Sequence, residues 1–99
     1  MKTVDIEIVI KRYYAARPDG HWFDRDTKRF FGCRLPKVAF QAADGRRFFV
    51  TSEHNFDRTA RLYTVRCQGI DGDMDTIGEF QGYSDRSVAV KEAKRLASE

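Results

Sequence analysis

Apolar and polar residues alternate through the second half of the chain, and near its end the alternation gives way to a helical stripe. Residues 38–43 and 46–52 are two alternating runs around Asp44-Gly45. That pair favours a two-residue type I′ hairpin turn, in which both central residues take positive φ. The register it predicts sets Phe40 opposite Phe49 and Ala42 opposite Arg47. A third strand is expected over 61–68, with Tyr63, Val65 and Cys67 on one side and Leu62, Thr64 and Arg66 on the other. Asp71-Gly72-Asp73 turns the chain into a fourth strand over 75–80, weakened by Gly78. Ser84 is placed to cap a helix, with Asp85 favouring its positive end. Ala89, Val90, Ala93, Leu96 and Ala97 form the buried stripe of that helix, leaving Lys91, Lys94 and Arg95 outside.

The N-terminal segment, residues 3–17, carries two patterns at once. Val4, Ile6, Ile8 and Ile10 alternate as in a strand, whereas Ile6, Val9, Ile10 and Tyr13 share one helical face. Acidic residues early and basic residues late suit a helix dipole, with Thr3 as a candidate cap, so helix is the favoured reading and strand stays open. Pro18-Asp19-Gly20 ends the segment on either reading. A short helix follows over 24–31, capped by Asp24 or Asp26 and closed by Gly32. Phe23, Thr27, Phe30 and Phe31 fall on its inner face, with Arg25, Lys28 and Arg29 outside. The expected fold class is α+β: a single domain over 1–99 with a four-stranded antiparallel β-meander packed against an N-terminal helix and a C-terminal amphipathic helix. One sheet face is covered by helices and the other is available to solvent.

Composition narrows the class without naming an activity. The 99 residues are 41% hydrophobic and 33% charged, which suits a folded globule. The net charge of +3 is spread over isolated basic pairs such as Lys11-Arg12 and Arg46-Arg47, and gives an anionic partner only weak support. Cys33 and Cys67 supply no disulfide framework and read as free thiols. The N-terminus lacks the pattern of a secretory signal and no run approaches the length of a membrane span, so a cytoplasmic protein without membrane contact is expected.

Several motifs occur together: Phe23-Asp24-Arg25-Asp26-Thr27 with Arg29-Phe30-Phe31-Gly32, then Phe49-Val50-Thr51-Ser52-Glu53, Tyr63-Thr64-Val65-Arg66, and Asp75-Thr76-Ile77-Gly78-Glu79-Phe80. The set resembles a family of small uncharacterised proteins common in bacteriophages and other mobile elements, over residues 23–97, with the N-terminal segment outside it. The resemblance implies a phage or mobile-element origin and a bacterial host cytoplasm, and it transfers no functional residue. Cys33 stands where relatives tend to have a small polar residue. The meander-then-helix order is also similar to that of small DNA- and double-stranded-RNA-binding domains, a likeness of architecture alone.

Candidate chemistry is sparse. Asp71, Asp73 and Asp75 begin like a calcium loop, but the required glycine and bidentate acid fall on Thr76 and Gly82. His21, Cys33, His54 and Cys67 lack the close pairing of structural zinc ligands. Ser52, His54 and Asp57 lie too near in sequence for a relay and no nucleophile elbow is present. Asp24 and Asp26 are explained by capping. No catalytic residue, metal or cofactor is therefore assigned, and no pocket gathering polar groups is expected. The reading is a non-catalytic binding module without a small-molecule substrate, its partner a host or phage protein. Nucleic acid is the alternative, bound through Arg25, Lys28, Arg29, Arg47 and Arg66.

Overall fold

The alternating runs pair into one antiparallel sheet. The computed structural model describes residues 1–99, the side chains of Thr27 and Phe31 excepted. In chain order the elements are β1 (Lys2–Asp5), α1 (Ile6–Ala16), α2 (Arg25–Phe31), β2 (Val38–Gln41), β3 (Arg47–His54), β4 (Arg61–Gln68), β5 (Met74–Ile77) and α3 (Arg86–Ala97). The five strands lie in the order β1-β2-β3-β4-β5. The α+β meander with a C-terminal helix is as expected, with one edge strand more than the four predicted.

That extra strand settles the double pattern of the N-terminus: of the alternating set only Val4 lies in a strand, and from Ile6 onward the helical pattern governs. Residues 2–5 pair antiparallel with β2, and Val4 turns into the core. Asp5 then switches the chain to helix. Its carboxylate accepts from Glu7 N at 2.8 Å, and Ile6 N is held by Lys37 O at 3.0 Å. The cap is therefore Asp5, and Thr3 is a strand residue facing Phe40.

The β2–β3 hairpin differs from the predicted register by one residue. Phe40 pairs with Phe48 and Gln41 with Arg47, and Ala42 N donates to Arg46 O. The loop has three residues, 43–45. Gly45 alone among them takes positive φ (95°), its N–H donates to Ala42 O, and Asp44 Oδ1 accepts from Arg46 N. A type I turn closed by a left-handed glycine satisfies these groups. Because side chains alternate, the one-residue shift puts Phe40 and Phe48 on one face and Phe49 on the other.

Both sheet faces are covered, which corrects the expectation of an open one. On the first face, α3 lays Ala89, Ala93 and Ala97 against Ala42, Phe48, Val50, Val65 and Cys67. The alanine stripe lets the helix approach the sheet closely. Its N-cap is Asp85 rather than Ser84, since Asp85 Oδ1 receives Ser87 N at 2.9 Å and Ser87 Oγ at 2.8 Å. On the second face, α1 buries Ile6, Val9 and Tyr13 with Phe23, Ala39 and Phe49. Gln68 fastens α1 there, its amide donating to Val9 O at 2.9 Å and Gly72 O at 3.1 Å. β5 stops at Ile77, before Gly78, whose φ of 73° leaves the extended region.

Candidate binding site

The second face also carries a polar array. Thr51 and Glu53 on β3 lie beside Thr64 and Arg66 on β4, all four buried. Glu53 Oε1 accepts from Thr51 Oγ1 at 2.6 Å and from Arg66 Nη2 at 2.9 Å, and the Cys33 thiol lies 3.9 Å from it. Oε2 accepts from Thr64 Oγ1 at 3.2 Å. Arg66 is held further by Thr51 Oγ1, which accepts from Nε at 3.0 Å, and by the Thr76 hydroxyl. A carboxylate with this many donors keeps its charge away from water, which is what a buried ion pair requires.

Aromatic rings enclose the guanidinium. Its carbon lies 4.6 Å from the Trp22 ring centroid and 5.3 Å from that of Phe80. Trp22 is placed by the loop after α1. Gly20 crosses directly over the Tyr13 phenol, where any Cβ would stand 2.1 Å from the hydroxyl oxygen, and Trp22 N donates to that hydroxyl at 3.3 Å. Edge-to-face contact between Tyr13 and Phe23, centroids 5.5 Å apart, fixes the phenol in turn. Phe80 is placed by the turn after β5. Gln81 takes a φ of 57°, its N–H donates to Thr64 Oγ1 at 2.8 Å, and its amide donates to His54 O at 2.7 Å.

Between these walls lies a cavity of about 380 Å³, lined by Tyr13, His21, Trp22, Lys28, Cys33, Glu53, Arg66 and Phe80. This corrects the expectation that no pocket would gather polar groups. Burial pushes the Cys33 thiol up to about 11, and the neighbouring Glu53 carboxylate adds to the effect, against smaller opposing influences from Arg66, Lys28 and Arg61. The thiol is therefore protonated at neutral pH and poorly nucleophilic.

A second cavity, of about 360 Å³, adjoins the first through Phe80. It is lined by Phe30, His54, Asn55, Phe56, Arg58, Phe80 and Gln81. Phe30 and Phe56 are largely exposed, at 72% and 105%. Phe30 thus faces outward from the seven-residue α2, not inward as expected. Thr27 and Phe31, placed on the same inner face by the sequence, have side chains outside those described.

The five cations singled out by sequence do not share one surface. Arg25 and Arg29 are exposed one turn apart on α2, and Lys28 is half-buried in the cavity wall. Arg47 sits at the opposite end of β3, its Nε donating to Gln41 and Nη1 to Gln68. Arg66 is buried against Glu53. Asp24 starts α2 without a side-chain cap bond, and Gly32 closes the helix in the left-handed conformation. Ser52 Oγ accepts from Arg61, and Asp57 receives Thr59, so the Ser52, His54 and Asp57 side chains form no relay. Asp73 binds Arg17 at 2.6 Å and Asp71 receives Asp73 N, as in an ordinary turn. Among the described residues no group of three or more His, Cys, Asp or Glu is arranged to hold a metal ion. No helix is long and apolar enough to cross a membrane.

A model for a family of unknown function, DUF7447, matches residues 8–94. The chain belongs to that family. The DUF7447 match takes in most of α1, so the family unit begins well before Phe23, where the motif resemblance started. Nothing in the DUF7447 description refers to phages or mobile elements. No curated protein and no solved structure matches the chain.

Proposed function

We propose that this DUF7447 chain is a non-catalytic binding module that docks a protein partner at the end of the sheet where Phe30, Phe56 and Phe80 surround a cavity. The exposure of two of these rings around one depression carries the reading, since large apolar side chains gathered in this way mark contact surfaces. Arg58 lines this cavity and Lys28 the next, while the charges of Glu53 and Arg66 cancel. The complementary partner is a protein segment with apolar anchors flanked by acidic residues. The motif resemblance supports a phage or mobile-element origin and a host or phage protein as that partner.

Nucleic acid is the second reading. Phenyl rings beside Arg58 and Lys28, with Arg25 and Arg29 on α2, are the components of a single-strand stacking platform. One experiment separates the two. The tagged chain and its Phe30→Ser/Phe56→Ser variant are used to capture partners from nuclease-treated host lysate, and both are titrated with a single-stranded oligonucleotide across salt. A stoichiometric protein held by the native chain and lost with the variant supports docking. Steeply salt-dependent oligonucleotide binding without a nuclease-resistant protein overturns docking in favour of nucleic acid.

A further inference from the structure

We infer that the Trp22 cavity, which shares Phe80 with the docking cavity, is a small-ligand site that takes a planar aromatic anion of one or two rings bearing a carboxylate or phosphate. This goes beyond protein docking and does not rest on it. The volume of about 380 Å³ lies within the range of small-molecule sites. Trp22, Phe80 and Tyr13 supply most of its apolar lining, and although the guanidinium of Arg66 lies over the first two rings, the remaining aromatic surface suits a planar body.

The charge of the lining selects the head group. Glu53 is 2% exposed, and its oxygens are taken by Thr51, Arg66, Thr64 and the Cys33 thiol. It therefore presents little negative charge to an incoming molecule. Arg66 uses three N–H bonds on Thr51, Thr76 and Glu53, leaving two of the five that a guanidinium owns. Lys28 adds an ammonium at the rim with no carboxylate ion-paired to it among the described residues, and His21 adds a further donor. With the thiol neutral, the lining carries a net positive charge. A cationic ligand would compete with Arg66 for the same rings and meet Lys28, so the site discriminates by sign. The buried polar floor is held in place before binding, which lowers the cost of ordering it around a ligand.

Trp22 is the only tryptophan, so its emission reports occupancy directly. The native chain is titrated with phenyl phosphate, benzoate, benzylamine and inorganic phosphate while Trp22 fluorescence is followed. The two aromatic anions are expected to give saturable changes. Inorganic phosphate should bind more weakly because it lacks the ring, and benzylamine should give no saturation. Lys28→Ala, a half-buried rim position, is expected to weaken phenyl phosphate about tenfold, the effect of losing one charge-assisted contact. Its circular dichroism should be unchanged. The inference is overturned if neither aromatic anion saturates up to the millimolar range. It is also overturned if benzylamine binds as well as benzoate, or if Lys28→Ala leaves phenyl phosphate affinity intact. Loss of lysate partners in the Phe30→Ser/Phe56→Ser variant bears on docking alone and leaves these titrations unaffected.

Discussion

Arg66 Nη2 lies 2.9 Å from Glu53 Oε1 across the β3–β4 pair, with 8% and 2% of the two side chains exposed. At this burial the pair is costly to desolvate, and removing one member strands the other. Arg66→Met is expected to lower unfolding free energy by about 3–5 kcal/mol, because the Glu53 carboxylate keeps only its hydroxyl and thiol partners. In the double variant Glu53→Leu/Arg66→Met no charge is left buried, and much of that loss should be recovered. Urea unfolding of both variants checks this. A double variant as unstable as the single one would show that packing around Trp22 and Phe80, rather than the stranded charge, sets the cost.

Gly20 passes over Tyr13 with no room for a side chain. A Cβ there would meet the hydroxyl oxygen at 2.1 Å and the ring at 2.5 and 2.7 Å. Tyr13 is buried and packed edge-on against Phe23 and Tyr14, so it has little freedom to retreat. Gly20→Ala is expected to cost about 1–3 kcal/mol, as overpacking does, and to shift Trp22 emission because the 18–22 loop must lift. An unchanged spectrum together with unchanged stability would show that the loop accommodates the methyl group freely.

What the sequence disclosed follows from the range of the forces involved. The strand alternation of β4, the left-handed stop at Gly32 and the alanine stripe of α3 are local, and all three were legible. The hairpin register was missed because Asp44-Gly45 is compatible with two loop lengths, and the choice is made by Asp44 bonding Arg46 N and by core packing of Phe48. The cavity was missed for a different reason. Arg66 reads as exterior when the sheet is given one open face, Glu53 falls just past the expected strand end at residue 52, and Trp22 and Phe80 are 58 residues apart by number. The available signal was that Glu53 keeps the parity of Phe49 and Thr51 once the strand runs on to His54. Recognising it required knowing that α1 and the 20–35 segment fold over that face.

Phe56 stands at the loop after β3 with 105% relative exposure. Its removal should therefore leave stability nearly untouched. Phe56→Ser is expected to change unfolding free energy by no more than about 0.5 kcal/mol, the usual range for surface positions. Self-association at high concentration should fall, since a fully exposed ring is an adhesive site. Light scattering beside urea unfolding tests both parts. A loss well above that range would mean that the ring packs in solution and cannot be the contact proposed for it.

Cys33 gives the protein an alkaline limit. Unfolded, a thiol ionises near its ordinary 9.0, whereas the folded chain holds Cys33 protonated to about 11, by burial first and by Glu53 second. The stabilising contribution is thus complete below pH 9 and is lost as pH rises through 11. Cys67 is shifted in the same direction by burial, so it adds to the effect. Urea midpoints should fall across that window, and less steeply in Cys33→Ala. Iodoacetamide, followed residue by residue with mass spectrometry, should modify Cys33 at pH 7.5 at least about tenfold more slowly than a free peptide thiol, since the thiolate is the reactive form. Alkylation at the peptide rate would show that Cys33 ionises as readily as an exposed thiol, and the alkaline loss of stability assigned to its burial would have to be withdrawn.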